Sequence, residues 1–173
     1  MLETKRLVIS EISSKDLEDV RLLHNEPETL KWLSDSHAVS RDEQAKWFER
    51  LAQSTTSTRY IARKKNEGSL VGVFRFDRLD RSNSSAEVGL DISVQYRRLG
   101  FAKEIYETLI PYFFYEMSLH RISLITLENN IPAISLYQSL GFMREGVLRE
   151  AIRRDSGFIN AIQYSLLKSE FRQ

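Results

Sequence analysis

Apolar residues along this 173-residue chain recur with two periods, and the places where one gives way to the other mark the elements. Residues 7–12 alternate well enough for a first strand, and residues 14–25 carry Leu17, Val20 and Leu23 or His24 at helical spacing. A short helical piece follows at 28–33. Ser40-Arg-Asp-Glu43 then supplies a capping box for a helix bearing Ala45, Phe48, Leu51 and Ala52 on one face. The Ser/Thr-rich run at 54–58 reads as a loop, and residues 59–63 and 70–77 read as strands joined by a turn at 66–68.

The cleanest alternation comes next. Ala86, Val88, Leu90, Ile92 and Val94 face one way, and Glu87, Gly89, Asp91, Ser93 and Gln95 the other, with Asp91 and Ser93 expected on a solvated polar face. Gly89 stands out, because glycine inside a strand marks a bulge or a close approach. After the turn Arg97-Arg98-Leu99-Gly100-Phe101-Ala102, the residues Phe101, Ile105, Leu109, Tyr112 and Phe113 define a helix reaching about Met117, with a kink expected at Pro111. A strand at 121–127, a helix opened by Asn130, and two strand-like runs around the turn Asp155-Ser-Gly157, ending near Leu167, complete the chain. The order is α+β, with one parallel crossover.

Composition narrows the class. A chain of 173 residues that is 42% hydrophobic and 28% charged can build one sizeable core, so a single domain spanning 1–173 is expected. With 25 Lys plus Arg against 24 Asp plus Glu, the net charge of +1 offers no electrostatic reason for a nucleic-acid or membrane partner. The absence of cysteine excludes a disulfide framework, a thiolate metal site and a cysteine nucleophile, and no metal is expected. Met1-Leu-Glu-Thr-Lys-Arg-Leu7 lacks the apolar stretch of a signal peptide, so the expectation is a cytoplasmic protein, monomeric or homodimeric.

The turn before the helix at Phe101 is where candidate chemistry begins. A strand running through a Gly-containing turn into a helix leaves several backbone N–H groups at the helix's positive end, a natural site for a pyrophosphate. Neither Gly-x-Gly-x-x-Gly nor Gly-x-x-x-x-Gly-Lys-Ser/Thr is present there. The turn instead fits Gln/Arg-x-x-Gly-x-Gly/Ala through Arg97, Gly100 and Ala102. Farther on, Asn130, Ala133, Tyr137, Gly141 and Phe142 fit a second pattern, Asn-x-x-Ala followed by Tyr and Gly-Phe. With both motifs in this order, the chain resembles the GCN5-related N-acetyltransferase (GNAT) superfamily, in the branch holding ribosomal-protein N-terminal, spermidine and nucleotide-aminosugar acetyltransferases. Arg98 departs from the usual family glycine in the turn.

The resemblance implies a mostly antiparallel sheet of six to seven strands with one parallel splayed pair, flanked by about four helices. It implies acetyl-CoA as co-substrate, with its pyrophosphate on Arg97, Arg98, Leu99, Gly100, Phe101 and Ala102. Its pantetheine arm would lie along Leu90, Asp91 and Ile92, and Asn130 and Ala133 would contact it from the second motif. Tyr137 is the implied acid for the departing thiolate, and Glu87 the candidate base for the amine. Direct transfer needs no cysteine and no Ser-His pair. His24, His37 and His120 show no ligand spacing and read as surface or packing residues.

The amine acceptor falls to the N-terminal half and the last hairpin. Trp32, Leu33, His37, Trp47 and Phe48 make an aromatic-rich region, and Arg149, Arg153 and Arg154 precede the final turn. Those arginines suit phosphates of a nucleotide-linked aminosugar, which ranks ahead of a protein N-terminus and a polyamine. A non-catalytic acyl-CoA-binding regulatory module is the competing class.

Overall fold

A computed structural model describes residues 1–171. The strands are β1 (Leu2–Glu3), β2 (Leu7–Glu11), β3 (Thr58–Lys64), β4 (Leu70–Asp80), β5 (Ser85–Ile92), β6 (Arg121–Leu127), β7 (Met143–Arg154) and β8 (Gly157–Leu167). The helices are α1 (Leu17–His24), α2 (Pro27–Leu30), α3 (Arg41–Ala52), α4 (Phe101–Pro111) and α5 (Ile131–Ser139). All strands join one sheet in the order β1-β2-β3-β4-β5-β6-β8-β7, and only β5 and β6 run parallel. The mixed fold is the expected one. The sheet carries eight strands where six to seven were expected; β1 has only two residues, too few for alternation to register.

The main core sits between the sheet and α4, where Tyr106, Phe74, Phe76, Phe113 and Phe114 are among the largest fully buried side chains. On the opposite face, Val20 and Leu23 of α1 pack on Ile61 and Val73. Ser40 caps α3 as its capping box predicts, with the Ser40 N–H donating to Glu43 at 2.9 Å. The inward face of α3 is rotated from the expected one. Gln44, Trp47, Phe48 and Leu51 turn inward while Ala45 and Ala52 stay exposed, because the larger side chains fill the space beside α1. No helix among the described residues is long and apolar enough to cross a membrane.

Pro111 produces no break. The helix runs through it into a wider π-type turn, Tyr112–Glu116, in which the Met117 N–H donates to Tyr112 five residues back at 3.1 Å. A proline removes one donor and crowds the carbonyl four residues earlier, here that of Glu107, and the chain widens only after it. The wider turn leaves Phe113 and Phe114 fully buried.

Candidate active site

The parallel pair β5 and β6 is joined only from Ser85↔Arg121 to Glu87↔Ser123. Beyond Glu87 the two strands part, yet each keeps its outer neighbour, β5 with β4 as far as Ile92↔Gly72 and β6 with β8 as far as Leu127↔Ala161. Buried backbone groups need partners, so an unpaired edge inside a protein invites a ligand that can pair with it. A cleft of about 1030 Å³ occupies this opening, and Leu90, Asp91 and Ile92 line it. The expected bulge at Gly89 is absent. The β4–β5 register is regular from Gly72 to Asp77 and shifts only between Asp77 and Asp80, so the strand edge is freed by splaying.

The turn between β5 and α4 closes one end of the cleft. Gly100 precedes the helix with φ +80°, a left-handed backbone that side chains disfavour, and Arg98 adopts φ +60°. The first bond of α4 runs from the Glu104 N–H to the Gly100 carbonyl at 3.1 Å, so the amides of Phe101, Ala102 and Lys103 have no partner within the helix. Arg6, absent from the expectations, buttresses this turn. It donates to the Leu99 carbonyl at 3.0 Å, pairs with Glu104 at 2.5 Å and lies 4.0 Å from the centre of the Phe101 ring.

Arg97 works beneath the turn. Its guanidinium donates to the carbonyls of Ile92 (3.0 Å) and Glu28 (3.1 Å) and to the Thr29 hydroxyl (2.8 Å). Glu26 makes the matching connection, accepting from the Ser93 hydroxyl at 2.8 Å and from the Val94 N–H at 3.2 Å. Ser93 is therefore buried, against the expectation of a solvated face, because the strand ends at Ile92 and α2 covers the next residue. Asp91 is likewise only partly solvated, with Arg75 3.5 Å away.

Tyr137 lies on α5, 7% exposed, and faces the cleft. Its ring packs against Tyr106, Phe142 and Tyr164 at centroid distances of 5.9–6.1 Å. Burial raises the Tyr137 phenol above its ordinary range, while the Tyr106 hydroxyl and then the Arg75 charge pull against that rise. The phenol therefore stays protonated at neutral pH. Asn130 caps α5 by accepting from the Ala133 N–H at 3.4 Å, and both residues line the cleft. Glu87 lines it too, at the point where the strands part, with Arg78 donating to its carboxylate at 2.8 Å.

The acceptor-side expectations separate. Trp32 lines the cleft. Trp47 instead packs near Arg59, Leu33 is buried, and His37 lies 3.4 Å from Glu43. Arg149 and Arg153 are exposed on the last hairpin, whereas Arg154 donates to the Leu33 and Ser34 carbonyls and ties that hairpin to the segment after α2. Arg75 was missed altogether. Its sequence signal is a single charge within the apolar run at 70–76, opposite Gly89 in register.

Known proteins resemble this chain in sequence and in fold. The curated relatives include an uncharacterized N-acetyltransferase, p20, of Bacillus licheniformis, 28% identical over 98% of this chain and 97% of that protein. They also include YoaA of Bacillus subtilis, an uncharacterized N-acetyltransferase that is 26% identical over 97% of both chains. Among solved structures, the spermidine N-acetyltransferase of Vibrio cholerae in complex with CoA and spermine superposes with a TM-score of 0.91, at 22% identity, covering 96% of this chain and 98% of that one. The model of the acetyltransferase (GNAT) domain matches residues 6–143, and the chain belongs to that family.

Proposed function

We propose that this protein transfers an acetyl group from acetyl-coenzyme A to the primary amine of a small acceptor. The observation that carries the reading is the opening between β5 and β6, with free helix amides at one end and a protonated phenol facing it from α5. The residues fit the coenzyme. The splayed edge at Leu90, Asp91 and Ile92 would pair with pantetheine amides, while Asn130 and Ala133 form part of the other wall. The backbone of Arg98, Leu99, Gly100, Phe101 and Ala102 would take the pyrophosphate, and Arg97 would hold that backbone in shape.

Acetyl-coenzyme A, when bound, supplies the acetyl group as a thioester. Around it, Tyr137 Oη holds a proton for the departing sulfur, and Glu87 receives the proton lost by the amine, directly or through water. One N–C bond forms and one C–S bond breaks, and one proton passes to each side. Amides along the splayed edge would hold the developing oxyanion.

Charge in the cleft bears on the acceptor. Asp77 is paired with Arg59 and Glu87 with Arg78, both at 2.8 Å, so these carboxylates are already neutralised. That disfavours a polyamine and favours an amine carrying negative charge. A nucleotide-linked aminosugar keeps Arg149 and Arg153 as phosphate partners, with Arg154 engaged elsewhere. A protein N-terminus ranks second.

Thiol release from acetyl-coenzyme A tests the reading across aminosugar nucleotides, N-terminal peptides, amino acids and polyamines. Release that depends on an added amine supports transfer. Tight coenzyme binding with no release for any amine class would make the protein an acyl-CoA-binding module instead.

A further inference from the structure

Arg75 occupies the middle of β4 between Phe74 and Phe76, which belong to the main core. Strand alternation points it to the other face, the α1 side of the sheet, beside Val73. From there it crosses its register partner Gly89 on β5. A Cβ at Gly89 would stand 2.6 Å from Arg75 Nη2 and 2.9 Å from the central guanidinium carbon, so the missing side chain is the space the guanidinium uses. The residue 89 glycine thus admits an arginine, not a ligand backbone. The same cleft is lined from the far face of the sheet by Tyr106 and Tyr137.

The guanidinium is incompletely satisfied. Arg75 Nε is enclosed over Gly89 beside Asp91, while the side chain as a whole is 40% exposed, lines the cleft and makes no hydrogen bond among the described residues. Its one close carboxylate, Asp91, stays 3.5 Å away, beyond a good hydrogen bond for a charged pair. The accessible part of the guanidinium is free to take a ligand, and its planar fork suits a carboxylate.

We infer that Arg75 binds a carboxylate carried by the acceptor close to its reacting amine, which makes the acceptor class amino-acid-like. The inference rests on the acetyl-transfer reading and puts a small carboxylate-bearing amine ahead of the aminosugar that the hairpin arginines favour. A single guanidinium that already has Asp91 beside it suits one further negative charge better than the two of a phosphate. A polyamine would bring a second ammonium toward Arg75 with its neighbouring carboxylates already paired. The same positive charge disfavours the ammonium form of the reacting nitrogen, and so favours the neutral nucleophile.

The test compares free L-amino acids with their carboxamides in wild type, Arg75→Gln and Gly89→Ala, by amine-dependent thiol release, with thermal melts confirming that each variant folds. Gly89→Ala keeps the arginine but displaces it, so the test survives if Arg75→Gln does not fold. Wild type is expected to prefer the carboxylate form by about tenfold or more in kcat/KM. Both variants should bring that ratio near one, chiefly by raising KM for the carboxylate form. Amine-dependent release without a carboxylate preference, or with a polyamine or nucleotide-linked aminosugar preferred, overturns the inference and leaves acetyl transfer standing. An Arg75→Gln variant that lowers kcat equally for both forms also overturns it, since Arg75 would then act through Tyr137. Wild type that releases no thiol with any amine defeats the transfer reading itself.

Discussion

Tyr137 and Glu87 both line one cleft, and the proposed transfer assigns them to different ends of a proton path. Burial keeps the Tyr137 phenol protonated, so Tyr137→Phe removes a proton donor while preserving the ring that packs against Tyr106, Phe142 and Tyr164. Coenzyme affinity, measured by calorimetry, is expected to persist while kcat falls by about 10²-fold. Glu87 is read through the pH profile. An alkylammonium with pKa near 10 is scarcely deprotonated at neutral pH, so Glu87→Gln is expected to slow the reaction most near pH 7 and least where the free amine is abundant. A defect of constant size across that range would assign Glu87 to acceptor positioning. Both residues came from the family resemblance, and the structure brings both to the cleft. Arg75 was not readable in the sequence, because its role depends on a cross-strand glycine and on where two strands part.

At the scale of elements, the turn from β5 into α4 is specified by backbone shape more than by side chains. A Cβ at Gly100 would meet only Arg6 Nη2, at an ordinary 3.6 Å, so the obstacle to substitution there is φ +80°. Gly100→Val is expected to weaken coenzyme binding at least about tenfold by forcing the turn out of its left-handed conformation, and titration calorimetry measures it. The other prediction at this scale concerns the start of α1. Burial alone would raise the Asp16 carboxyl, but Arg63 at 2.8 Å and the Ser13 N–H and hydroxyl, both at 2.8 Å, outweigh it and hold the carboxyl below its ordinary range. A carboxyl depressed on folding stabilises the protein above its unfolded pKa of about 4, and that stability drains away as the pH falls through the folded value. Asp16→Asn is therefore expected to cost about 2 kcal/mol in denaturant unfolding at pH 7, and to flatten the loss of stability below pH 4.

Across the whole molecule, periodicity in the sequence foretold the order of elements and the parallel crossover, since these follow from apolar spacing and turn residues. It did not foretell how α3 rotates or how the chain passes Pro111, because side-chain size and a widened turn decide those after packing. Nor did it reveal that Glu26 and Arg97 lock α2 to the end of β5, a contact between segments nearly 70 residues apart. That lock and the Arg6 buttress leave the cleft with firm ends around an unpaired strand edge. The central claim is that acetyl-coenzyme A fills this edge with its sulfur at Tyr137, and a crystal structure of the complex with coenzyme A tests it most directly. The account predicts pyrophosphate oxygens on the amides between Arg98 and Lys103, pantetheine beside Leu90 to Ile92, and sulfur within about 3.5 Å of Tyr137 Oη. Coenzyme bound outside the opening between β5 and β6, or with its sulfur remote from Tyr137, would contradict it.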